Sequence, residues 1–445
     1  MPSKNNQQAS SQSSARKPIS RRTFLKGSAA SIAAALSATG PGNFLTEGVY
    51  ASNVIAQNNT VVLAIQAFTH DIIRGVLPDF EAATGLTVQL EGGPVSGNDM
   101  LTRYSAAFAS GNSPVDVLSD ADDSSPTFMR AGWLMPLNDI IPQATWDDFP
   151  PSMQPHIDGF LSIDGTRYRI PHEFAVGYFF TRRDLLSARG LAAPTTWEEV
   201  VSVGREMSDP ANGIYATTDA LIKPALLYVY VAYLAAQSGG DVFAFDEATG
   251  DALQFLYDMI YTHQIFPETA LNQDYTAQNE LYLADRIAFM RQWPFFQGVA
   301  EGNAEWYDAE KMVIELPPAG PAGSKSWIGG WGFSVPTSAP NPDGAQELIR
   351  YLTSVEVAPV LAAQQGFLLT PRNSILETLG DQDNPLLDAI ARYSEANVFS
   401  ARPFHPRVAE AQTVVDDMAS LFLTNQASLS DVLAQGRELI AALDQ

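Results

Sequence analysis

The chain runs to 445 residues, too many for one ordinary hydrophobic core, so two lobes or domains are expected. Its formal charge of −24, with 46% hydrophobic and 17% charged residues, excludes a disordered chain and disfavours nucleic acid or an anionic membrane as a partner. Cysteine is absent, which excludes disulfides, a thiol nucleophile, a cysteine-held metal or iron–sulfur site, and a lipid anchor on an N-terminal cysteine.

The first 26 residues are rich in Ser, Gln and Asn and end in "SRRTFLK" (20–26), after which "GSAASIAAALSA" (27–38) is apolar. A basic stretch before a short apolar run reads as an export signal. Arg21 and Arg22, with Phe24, Leu25 and Lys26, resemble the twin-arginine type, which carries folded proteins. The apolar run falls short of the roughly 20 residues that span a membrane. "LSA" ending at Ala38 and "VIA" ending at Ala56 both suit cleavage, and Ala56 is favoured because a strand-like run starts at Val61. Residues 1–56 therefore read as export signal and disordered N-terminus, and the mature protein as free in a periplasm. Those residues hold six basic groups and one acid, so their removal takes the charge from −24 to −29.

From Val61 the pattern becomes regular. "VVLAIQAF" (61–68) is a buried strand, "DIIRGVLPDFEAATG" (71–85) an amphipathic helix stopped by Gly85, and "LTVQLE" (86–91) alternates as a strand does. "NDMLTRYSAAFASG" (98–111) is helical and "VDVLSD" (115–120) strand-like. Strands alternating with helices predict a parallel α/β sheet, whose ligands sit beyond the carboxyl ends of the strands, at loops 66–70 and 120–124. Further on, 197–265 is mostly helical, with "LYVYVAYLAAQSGG" (227–240) as a buried helix, and 408–422 and 433–444 form two packed helices.

Several blocks, in order, resemble one family: "LPDFEAATGLTVQL" (77–90), "SPVDVLSDADDSSPTFMRAGWLMPLND" (113–139) and "DGTRYRIPHEFAVGYFFTRRDLL" (164–186) with "GLAAPTTWEEVV" (190–201). "LADRIAFMRQW" (283–293), "IELPPAGPAGSKSWIGGWGFSVP" (314–336), "AQELIRYLTS" (345–354) and "GFLLTPRNS" (366–374) continue the likeness. The chain is thus similar to the family 1 extracellular solute-binding proteins of ABC importers, the maltose-binding-protein-like sugar group. The resemblance implies a periplasmic-binding-protein-like α/β fold of two lobes, joined by a hinge of several strands, with the ligand cleft between them. Hinge crossings near 171–175, 329–333 and 369–372 would divide the chain into lobe one, 57–172 plus 329–372, and lobe two, 173–328 plus 373–445. It also implies a monomer that binds a sugar reversibly by hinge closure and hands it to the permease subunits and ATPase of an importer. One departure is Phe179, where the family has a second Tyr; the missing hydroxyl removes a sugar contact from that position.

A sugar presents hydroxyls at its edge and C–H groups on its faces, so its site needs carboxylates, amides and Arg together with aromatic planes. Trp293, between "RIAFM" and Pro294, is expected at a strand end, where the family has a stacking aromatic. Trp331 in "IGGWGF" lies at the second crossing, where Gly330 admits a close backbone approach, and Trp327 is nearby. Trp133 and Trp197 match core positions. For polar contacts the candidates are Asp120 and Asp122 after the third strand, His172 and Glu173 at the first crossing, Thr69 and His70 after the first strand, Arg372 at the third crossing, and Gln292 beside Trp293. Two alternatives stay open. A binder of polyamine, polyol or chelate would suit the acidity, and a secreted glycosidase would need two carboxylates about 5–9.5 Å apart. No Gly-x-Ser-x-Gly nucleophile motif, phosphate loop or metal-type His spacing occurs, so a non-enzymatic protein without cofactor or metal is expected.

Overall fold

Among the described residues eleven strands carry the fold. They are β1 (Thr60–Gln66), β2 (Thr87–Gly93), β3 (Val117–Ala121), β4 (Ser162–Ile163), β5 (Thr166–Arg167), β6 (Ile170–Val176), β7 (Tyr178–Arg182), β8 (Phe289–Gln292), β9 (Met312–Glu315), β10 (Ser326–Ser334) and β11 (Phe399–Ser400). The computed structural model describes residues 59–445, apart from 225, 364–369, 371, 381–383, 401 and the side chains of Ser152 and Phe174. The export signal, both cleavage candidates and residues 369 and 371 of the third expected crossing lie outside the described residues.

Six strands form the larger sheet, in the order β11-β10-β3-β1-β2 with β6 on the other side of β10. β1 pairs in parallel with β2 and β3, as strands linked by helices must. β10 runs antiparallel to β3, with Trp331 opposite Ala121, and to β6, with Trp331 opposite Glu173. The β6 register shifts between Trp331 and Gly332, a bulge that re-aims the side chains beside it. The smaller sheet, β8-β7-β9, is antiparallel throughout. Only Gly177 separates β6 in the larger sheet from β7 in the smaller.

The expected strands form with shifts of a residue or two, but the helix read at 71–85 forms as two, His70–Arg74 and Leu77–Thr84. Pro78 stands in the first turn of the second; it has no N–H to donate and its ring crowds the preceding turn. The helix Gly97–Ala109 is capped by Ser96, whose side chain accepts from the Asp99 N–H. Leu226–Ser238 buries almost every side chain, because the C-terminal helices Val408–Leu423 and Leu429–Leu443 close the layer around it. One continuous hydrophobic cluster runs beneath both sheets, from Val61 through Tyr178 and Met290 to Val415, and seals the faces away from the strand ends.

Candidate functional site

The carboxyl end of β3 delivers three aspartates in four residues, Asp120, Asp122 and Asp123, ahead of the helix Ser125–Arg130. Asp122 is fully buried yet has four donors. Its Oδ2 accepts from the Gly330 N–H at 2.7 Å and Arg402 Nη1 at 3.0 Å; its Oδ1 pairs with Arg169 Nη2 and lies 3.3 Å from His156 Nε2. Burial alone would raise its pKa, but His156, Arg169 and Arg402 together hold it far below the usual carboxylate range, so it stays ionised. Asp123 Oδ1 pairs with Arg402 Nη2 and accepts from Gln412 Nε2 at 2.7 Å. Asp120 is pushed up to about 6 by burial, against the pull of Arg169 and the hydroxyl of Ser124. Its Oδ2 finds no partner among the described residues, nor do Arg169 Nε and Nη1.

The close approach of β10 makes this packing possible. A Cβ at Gly330 would sit 2.7 Å from the Glu173 carbonyl oxygen, and one at Gly329 would sit 3.1 Å from the Trp327 ring and 3.7 Å from both Arg402 Nη1 and Asp122 Oδ2. Glycine is required where a backbone strand, an indole, a guanidinium and a carboxylate converge. Across from Trp331, the half-buried carboxyl of Glu173 is pushed up to about 7, by burial first and then by the Asp122 charge. At pH 7 it is therefore both donor and acceptor.

The aromatic surface continues from there. Arg402 lies over the Trp327 ring at 4.9 Å and the Phe160 ring at 5.4 Å; His156 packs at a tilt against Phe160, 5.2 Å between centroids. Trp327 meets Trp293 edge-on, 5.5 Å between centroids. Trp293 does stand immediately after β8 and is partly exposed, while Phe296 is buried between Phe180 and Tyr282. Trp197 is core, stacked on Phe255 at 4.0 Å.

The structure thus brings Asp120, Asp122, Glu173, Gly330, Trp331, Trp327 and Trp293 into one contiguous region. The other expected residues have different surroundings. Thr69 Oγ1 donates to the Gln66 carbonyl at 2.8 Å and His70 Nε2 lies 3.1 Å from the Ile65 carbonyl, so both brace the turn after β1. Gln292 is fully buried and donates to Gln278 and Asn279. His172 bonds Ser119 Oγ at 2.9 Å and packs at a tilt against Phe333; burial first, then Arg169, drives its pKa down to about 3, leaving it uncharged. With Arg372 it lines a small cavity under Leu352 and Leu361. Arg372 donates to Asp148 at 2.9 Å and to the Thr353 carbonyl.

Four residues of the cluster escaped sequence reasoning: Asp123, His156, Arg169 and Arg402. Arg169, in "TRYRIPHE", carries a partial signal as a cation one residue before a strand. Arg402 carries none, because its contact with Asp122 spans 280 residues. Chemically, the region offers alternating acceptors and donors beside flat indoles.

A model of the family described as bacterial extracellular solute-binding protein matches residues 69–359, and one of the twin-arginine translocation signal sequence matches residues 18–38. A probable ABC transporter-binding protein of Deinococcus radiodurans is 27% identical over 337 residues, 72% of this chain and 73% of that protein. An arabinooligosaccharide-binding protein of Halalkalibacterium halodurans is 24% identical over 274 residues, 57% of each chain. Among solved structures, the maltose-bound MalE3 of T. maritima superposes with a TM-score of 0.75 at 22% identity, covering 86% of this chain and 99% of that one. The maltotriose-bound protein of Thermus thermophilus does so with 0.72 at 15% identity, covering 87% and 100%. These share the periplasmic-binding-protein-like fold expected from the sequence. The solute-binding match spans well over half the chain, and a twin-arginine signal precedes it. The chain is an exported member of the bacterial extracellular solute-binding protein family.

Proposed function

We propose that the protein is the periplasmic binding component of an ABC importer and that it captures a sugar or polyol for delivery to a permease. The observation that carries this reading is the partly exposed Trp293, edge-on to Trp327 above the buried Asp122–Arg402 ion pair, together with the half-buried Glu173 opposite the partly exposed Trp331. Ionised carboxylates and guanidinium groups make strong hydrogen bonds to hydroxyls, and indoles cover the apolar faces of a sugar ring. The curated and structural relatives bind an arabinooligosaccharide, maltose and maltotriose, which supports this chemistry.

In this reading Asp123, Glu173, Trp293 and Trp331 contact the guest, Asp122 and Arg402 hold the buried ion cluster beneath them, and Thr69, His70, His172, Gln292 and Arg372 support the framework. Lobe one comprises 57–172 plus 329–372 and lobe two 173–328 plus 373–445. The lobes close over the guest because the closed state contacts it better. The protein acts as a monomer and performs no chemistry on its guest.

A thermal-shift panel of maltose, maltotriose, an arabinooligosaccharide, ribitol and spermidine tests the proposal, because a guest of the native state raises its melting temperature. A rise with saccharide or polyol is expected. A rise with spermidine alone, or release of reducing ends during incubation, would overturn it.

A further inference from the structure

We propose that Arg291, Tyr275 and Gln292 are positioning residues that lock the Trp293 indole as a one-sided platform, open to a sugar ring only on the face away from Arg291. The inference rests on the saccharide reading above and assigns work to Arg291 and Tyr275, which no expected contact explains, and to Gln292, which was expected to touch the guest itself.

Trp293 is held by three polar groups in addition to the Trp327 ring, which it meets edge-on at 5.5 Å between centroids. Its main-chain N–H donates to Gln292 Oε1 at 2.9 Å, its Nε1–H donates to the Tyr275 hydroxyl at 2.8 Å, and the Arg291 guanidinium carbon lies 4.9 Å over the ring. Each holder is itself held. Arg291 makes a two-pronged, fully buried pair with Asp219, Nε to Oδ2 at 2.9 Å and Nη2 to Oδ1 at 2.8 Å. Gln292 Nε2 donates to Gln278 Oε1 at 3.1 Å and Asn279 Oδ1 at 2.9 Å, and Gln278 Nε2 donates to the Arg291 carbonyl at 2.7 Å. The neighbours Gln292 and Pro294 are buried, while the indole between them stays partly exposed.

Core filling alone does not call for this construction. Desolvating an arginine and an aspartate costs more than well-packed apolar side chains of the same volume would. The cost is offset where an exact ring orientation matters, because an indole already fixed loses no rotamer freedom when a guest stacks on it. The guanidinium also occupies one face of the ring, so a second stacked guest is sterically excluded there.

The test measures affinity for whichever of maltose, maltotriose, the arabinooligosaccharide or ribitol binds best, by calorimetry, in wild type, Tyr275→Phe, Arg291→Lys, Trp293→Ala and the double variant Tyr275→Phe/Trp293→Ala. Tyr275→Phe keeps the ring and removes the acceptor; Arg291→Lys keeps the charge and loses the planar fork. Each is expected to weaken binding by about three- to tenfold, the worth of one side chain's freedom. Tyr275→Phe is expected to have no further effect once Trp293 is absent. A second readout is the Trp293 indole N–H resonance, identified by its disappearance in Trp293→Ala, which should shift in Tyr275→Phe. Equal losses with and without Trp293, no loss in the single variants, or an unmoved resonance overturns the inference. An unchanged affinity in Trp293→Ala also overturns it while leaving the receptor reading intact, and failure of the whole panel to bind wild type overturns both.

Discussion

Replacing Asp122 with Asn removes the charge that Arg169 and Arg402 share. Asp122 and Arg169 have no exposed side-chain surface and Arg402 retains 5%, so neither guanidinium can turn to water. Asn offers one acceptor where the carboxylate serves four donors. Breaking a buried ion pair from one side costs about 3–5 kcal/mol. With an unfolding entropy of about 2.1 cal/mol/K per residue over roughly 390 residues, that cost lowers the melting temperature by about 4–6 °C. Asp120→Asn provides the control two residues away. Asp120 is equally buried, but its pKa is pushed up to about 6, so at pH 5.5 it is mostly protonated and the amide replaces a nearly neutral group. Its cost is expected to stay within about 1 kcal/mol. Scanning calorimetry of both variants at pH 5.5 decides the matter. If Asp122→Asn and Asp120→Asn melt together, the assignment of Asp122 as the ionised centre of the cluster is refuted.

The two facing tryptophans separate binding from stability. Trp293→Ala is expected to weaken saccharide binding by about 1–3 kcal/mol with little change in melting, whereas Trp327→Ala, at a site 3% exposed, should cost about 3–5 kcal/mol of stability by equilibrium denaturation. Glu173 imposes a pH dependence. Its folded pKa of about 7 lies above the ordinary 4.5, so the folded state holds the proton more tightly, and the resulting stability is full below pH 4.5 and lost as pH rises through 7. Glu173→Gln should flatten that limb in melting curves from pH 4 to 8, and an unchanged slope would contradict it. Gly330→Ala should destabilise by about 1–3 kcal/mol and weaken binding, because its Cβ would press within 2.7 Å of the Glu173 carbonyl. Wild-type melting would show that β10 yields there.

Much of the molecule was legible before folding. The leader's paired arginines and apolar run, the alternation from Val61 to Asp120, and the placement of Trp293 at a strand end all depend on residues a few positions apart. Local propensity and periodicity encode such features. The broken helix at Pro78 was also within reach, since the ring's effect is local. The site was legible only in part. Asp122 was found from the end of its strand and Glu173 from the first hinge crossing that the family resemblance implies, but nothing near Arg402 in the chain announces that it crosses 280 residues to reach Asp122.

Trp327 and Trp331 draw the line most sharply. Both lie on β10, four residues apart in a Gly-rich run, and the sequence treats them almost alike. Arg402, Trp293 and Tyr228 close over Trp327 and bury it, while Trp331 keeps part of its surface opposite Glu173. The order of strands and helices was thus written in the chain itself. Which carboxylate stays charged and which indole stays open were decided by segments that meet only when the chain closes on itself, because burial and Coulomb energy depend on distance in space rather than along the backbone.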